Sequence, residues 1–111
     1  MGATYIHKGD AIDYTPSADV SAGEVVTFQD LIGVAKLDIP AGTLGSLHVV
    51  GVFRFPKPTG AGEDIAMGVK MFWDPANQVV AKAAGSGLVH LGRAVAGAGE
   101  SDATVLVRLK Q

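Results

Sequence analysis

An all-β domain, a small sandwich or barrel with little or no helix, is the fold this sequence predicts, and three observations carry that expectation. Residues 31–57, LIGVAKLDIPAGTLGSLHVVGVFRFPK, place apolar side chains at every second position on either side of a Pro-Ala-Gly turn. Short strand-like runs recur along the chain with Gly, Pro, Asn and Asp turn signals between them. No window keeps apolar residues at i, i+3, i+4 and i+7 beyond about two helical turns. The nearest to a helix is 63–67, one turn at most.

Thr4, Tyr5, Ile6 and His7 form the first strand candidate. A terminal strand is easily donated to a neighbouring chain, or serves as an ordinary edge. After Lys8-Gly9-Asp10 come runs at 11–15 and, beyond Ser21-Ala22-Gly23, at 24–29. In the run 31–38, Leu31, Gly33, Ala35 and Leu37, continued by Ile39, share one face. Residues 46–55 read as a single strand, with Leu47, Val49, Gly51, Phe53 and Phe55 on one side. The stretch 56–62, PKPTGAG, reads as a long surface loop and the most flexible part of the chain, either a connection or a partner contact.

Residues 69–73 end in Phe72 and Trp73, which alternation sends to opposite faces, one into the core and one to a surface or partner. The Asp74-Pro75-Ala76-Asn77 turn leads to 78–82, and Gly85-Ser86-Gly87 leads to 88–96. The last run, 103–110, turns Val105, Val107 and Leu109 one way, and Thr104, Leu106, Arg108 and Lys110 the other. Gly33, Gly51 and Gly92 interrupt strands and mark bulges, corners or close backbone approach, which points to strong curvature as in a small barrel. LIGVA (31–35) and HLGRA (90–94) echo each other, either as a pseudo-repeat or as strand grammar in a Gly- and Ala-rich chain.

A chain of 111 residues that is 48% hydrophobic and 18% charged suits one domain with one core, spanning 1–111. Nine basic and eleven acidic residues give a net charge of −2, with no run of Lys or Arg, so nucleic acid is not an expected partner. The lack of cysteine excludes disulfides, thiolate catalysis and Cys-type zinc sites, and fits a reducing cytoplasm. No apolar run approaches the ~20 residues that span a bilayer, and MGATYIHKGD lacks the order of a signal peptide. A soluble protein without membrane contact, made in the cytosol, is expected.

The search for chemistry returns little. His7, His48 and His90 sit in three separate runs without ligand-like spacing. Glu63 and Asp64 are adjacent in a Gly-rich loop, and Asp74 opens a turn whose backbone its own carboxylate can satisfy. No serine lies in a G-x-S-x-G elbow, and Gly60-Ala61-Gly62 is followed by two acids that would repel phosphate. No catalytic residue, metal site or cofactor is expected.

Several fragments together carry a resemblance: YIHKGDAIDYT, AGEVV (22–26), LIGVAKLDIPAG (31–42), VVGVFRFPK (49–57), GVKMFWD (68–74), LGRAVA (91–96) and DATVLVRL (102–109). Their order and spacing over nearly the whole chain resemble the capsid cement, or head decoration, proteins of tailed phages and prophages. That resemblance implies a compact β-fold of barrel, jelly-roll or β-clip-like type. It also implies a non-enzymatic virion protein that binds the outer surface of the capsid. Its partners would be the major capsid protein and its own copies, as a homodimer or homotrimer, and synthesis would be in the bacterial host cytoplasm. Contact roles fall to Thr4, Tyr5, Ile6 and His7, as an arm, and to Trp73, as an interface anchor. The other readings are a small β-barrel enzyme or ligand-binding domain with an intersubunit site, and a head-fibre or tail component.

Overall fold

Strands form where β-branched and aromatic residues alternate, because such side chains pack well on a pleated surface. The computed structural model describes residues 2–109. It contains β1 (Ala11–Tyr14), β2 (Val25–Phe28), β3 (Leu31–Val34), β4 (Gly45–His48), β5 (Gly51–Pro56), β6 (Lys70–Asp74), β7 (Val79–Ala81), β8 (Val89–Ala94) and β9 (Thr104–Leu109). These build two antiparallel sheets, β1-β4-β3-β2 and β5-β9-β8-β6-β7, and no helix occurs among the described residues. The all-β expectation holds in its sandwich form. The outer strands β5 and β7 of the second sheet come close without pairing, so the barrel does not close.

Between the sheets lies the main core, where Ile32 and Val34 of β3 meet Phe55, Met71, Trp73, Leu91, Val105, Val107 and Leu109. A smaller cluster, Val20, Ala35, Ile39 and Leu47, fills the other face of the first sheet. β3 is therefore buried on both sides, which explains why 31–35 reads as a continuous apolar run and not a clean alternation. β9 follows the expected alternation, with Val105, Val107 and Leu109 buried; Lys110 lies outside the described residues.

Four expectations need correction. Residues 4–7 form no strand within the chain and run exposed ahead of β1, because nothing pairs with them. The run 46–55 is two strands: the chain leaves the first sheet after His48 and enters the second at Gly51, whose φ of 135° a side chain would resist. Leu47 and Phe55 consequently fill different cores. The run 31–38 ends as a strand at Val34; Gly33, Ala35 and Ile39 are buried, while Leu37 is turned out to solvent. The loop 56–62 is tied down: Lys57 is buried and donates from Nζ to the carbonyls of Pro58, Gly99 and Asp102 at 2.8–3.0 Å. Glu100 and Lys82 also hold it, through Gly60 N–H, Gly62 N–H and Gly62 O.

Each strand glycine has its own reason. A Cβ at Gly33 would lie 2.9 Å from the Leu47 Cβ, so the glycine permits close approach of β3 and β4. Gly92 faces the register shift between Met71 and Phe72, a bulge in the β6–β8 pairing.

The weak echo in the sequence is the trace of a repeated architecture. Replacing β1, β4, β3 and β2 by β5, β9, β8 and β6 turns the first sheet's order into the second's, with β7 added at the edge. The hydrogen bonds repeat too. Gly23 N–H donates to Ala35 O and Ala35 N–H to Glu24 O, as Gly68 N–H donates to Ala94 O and Ala94 N–H to Val69 O. Val20 bridges Ile39 as Ile65 bridges Ala98. The register Val25↔Val34, Val26↔Gly33 corresponds to Lys70↔Arg93, Met71↔Gly92. On this correspondence the Tyr14–Phe28 ring pair (5.2 Å) matches Phe55–Trp73 (5.9 Å). The first sheet lays its Val25, Ile32 and Val34 face on the Phe55 and Trp73 face of the second.

Candidate functional site: the surfaces of the two sheets

Thr4, Tyr5, Ile6 and His7 lie together as an exposed segment, and Tyr5 and Ile6 hold two large apolar side chains in solvent. His7 is turned back on the chain, its Nδ1 accepting the Gly9 N–H at 3.0 Å. Trp73 is not with them. It is 2% exposed in the main core, against Phe55, and its Nε1 is buried without a hydrogen-bond partner. The interface-anchor reading of Trp73 is therefore corrected: alternation sends Trp73 inward and leaves Phe72, beside His90 at 5.7 Å between ring centroids, on the outer face.

The titratable groups do not converge. His48 stands in β4 and His90 in β8, and no group of three metal-capable side chains occurs among the described residues. Asp74 behaves as its turn position predicts. Its Oδ2 accepts from the Asn77 side-chain amide at 2.8 Å, and its Oδ1 from the backbone N–H of Ala76 and Asn77. The Asn77 amide is the main cause that holds this carboxyl below its usual range, although partial desolvation acts the other way. The concavities at the two sheets are half open to solvent. One of them, at the first sheet, is lined by Leu37, Ile39, Pro40, Leu44 and His48.

What distinguishes the surface is the chemistry of its sheet faces. On the first sheet's outer side Phe28 is 38% exposed, although its counterpart Trp73 is buried, because no further sheet covers it. On the second sheet's outer side the register aligns Lys70 with Arg93 and Arg93 with Arg108, a row of three exposed cations across β6, β8 and β9. Sequence reasoning missed this row because the three residues lie 15 to 38 positions apart. The only signal was their outward parity on three strands.

The family model of the phage cement proteins matches residues 6–109. Comparison with the curated proteins and with the solved structures gave no match.

Proposed function

Because the chain belongs to the phage cement protein family, we propose that it binds the outer surface of an assembled capsid through the major capsid protein and stabilises it without catalysis. The observation that carries this reading is the match over 6–109, which takes in both sheets and the connections between them. The physics supports it: open faces and scattered polar groups suit broad contacts, and modest contacts multiplied over a lattice add up to firm attachment. Place of action is then the virion, after synthesis in the host cytoplasm.

Self-association as a homodimer or homotrimer belongs to the same proposal. Thr4, Tyr5, Ile6 and His7 supply an arm with an unpaired backbone and two exposed apolar side chains, suited to lie along the edge of a neighbouring copy. The test is direct. Purified protein added to expanded shells of the encoding phage should co-sediment with them and raise their disruption temperature. Shells that neither bind the protein nor gain heat resistance would exclude the reading.

A further inference from the structure

We propose that the outer face of the second sheet, through Lys70, Arg93 and Arg108, is the face that meets the shell, and that it docks on a carboxylate-bearing protein surface. This rests on the cement reading and adds to it which face is used and what chemistry it recognises.

Cross-strand register places the three cations side by side, Lys70 opposite Arg93 and Arg93 opposite Arg108. Strands lie about 4.8 Å apart, so the row is on the order of 10 Å long. Like charges directly opposite one another weaken a sheet. No carboxylate offsets them here: the one ion pair among the described residues is Lys8 with Asp10, on the arm side of the chain. Arg93 spends one N–H on the Gly68 carbonyl at 3.2 Å, which fixes its guanidinium without neutralising it. Asp74 is the only acid in the strands of this sheet; it sits at the far end of β6 with its oxygens engaged by its own turn. Arg54 of β5 adds a further exposed cation to the same side.

The repeated architecture shows that the row is a choice of chemistry at fixed geometry. Its counterparts in the first sheet are Val25, Val34 and His48, and there the two valines pack on the main core. At the two positions where the chain covers this face itself the residues are Val25 and Val34; at the corresponding uncovered positions they are Lys70 and Arg93. Charge that only kept the face wet would serve equally with signs mixed, and mixing would remove the repulsion. A single-sign row instead attracts the opposite sign and speeds its encounter. Two Arg forks fit carboxylates in bidentate geometry. Exposed Met67 and Val52 flank the row, and a half-open groove joins Met67 to Lys70, Arg93 and Arg108, which suits a protein surface better than a phosphate backbone.

The experiment measures binding to expanded shells across a salt series for the wild type, for Lys70→Gln, Arg93→Gln and Arg108→Gln singly and combined as the triple Gln variant, and for the triple Glu variant at the same three positions. Binding of the wild type should weaken steeply with salt. Each neutralisation should lower affinity roughly three- to tenfold and flatten that dependence, and the triple reversal should abolish binding. Melting curves report folding, and the Gln variants should melt at or above the wild-type temperature because repulsion is relieved. Shell binding by a folded triple Gln variant equal to wild type would overturn the proposal while leaving the cement reading in place. If the wild type itself does not bind shells, the cement reading fails, and poly-glutamate becomes the probe. Retention that needs the row upholds the carboxylate face, whereas retention independent of it, no retention, or preference for duplex DNA at equal salt overturns it.

Discussion

Leu47 and Gly33 lie so close that a Cβ on the glycine would fall 2.9 Å from the Leu47 Cβ, an atom with almost no freedom to retreat. Gly33→Ala should therefore lower the unfolding free energy by about 1–3 kcal/mol in a denaturant titration. Lys57 is the reverse case, a buried cation that satisfies three carbonyls. Lys57→Met keeps the apolar stem and orphans those acceptors, so a loss of about 1–3 kcal/mol is expected by the same measurement. Asp74 makes a pH prediction. Its folded pKa lies below the ordinary 3.8, so its contribution is present above that value and is lost as the pH falls through the lowered one. Asn77→Ala removes the largest cause, and a carboxyl NMR titration should show the Asp74 pKa rise toward its usual range. The Asp74 turn was legible in the sequence because all its partners lie within three residues. Lys57 was not, because Gly99 and Asp102 reach it from the far side of the chain.

Among the elements, β9 and the β6–β7 turn could be read directly, since alternation and turn chemistry are local. The merging of β4 and β5 into one run shows where local reading ends. Residues 46–55 keep a period of two throughout, and the sheet change between His48 and Gly51 is a tertiary choice carried by one positive φ. Gly51→Val should strain that crossing, at a cost of about 1–3 kcal/mol in the same titration. The N-terminal segment was misread as a strand, because a strand needs a partner and the described residues offer it none. Deleting residues 2–8 should leave the melting temperature nearly unchanged, since they are exposed. If the segment docks on a neighbouring copy, the same deletion should weaken self-association, as read by analytical ultracentrifugation.

In the molecule as a whole, one core serves both sheets, because Ile32 and Val34 belong to the first sheet and their neighbours to the second. Calorimetry should accordingly show one cooperative unfolding transition, and two separated transitions would contradict a shared core. The repeated architecture was only faintly legible: of two equivalent sheets the sequence preserves little more than LIGVA against HLGRA, since hydrogen-bond geometry survives substitutions that erase identity. The cations were each visible, but their alignment exists only once three strands are in register. Stacking two like sheets in the same sense also leaves the molecule with two outer faces that correspond by position to the two faces joined inside. The Tyr14 and Phe28 face corresponds to the face that Phe55 and Trp73 form inside, and the opposite outer face would correspond to the inner face of the first sheet if it carried that sheet's valines. Lys70 and Arg93 stand where those valines would be, and charge at these positions disfavours head-to-tail stacking of copies. The double variant K70V/R93V should polymerise with rising concentration, as followed by light scattering, under conditions in which the wild type stays dispersed.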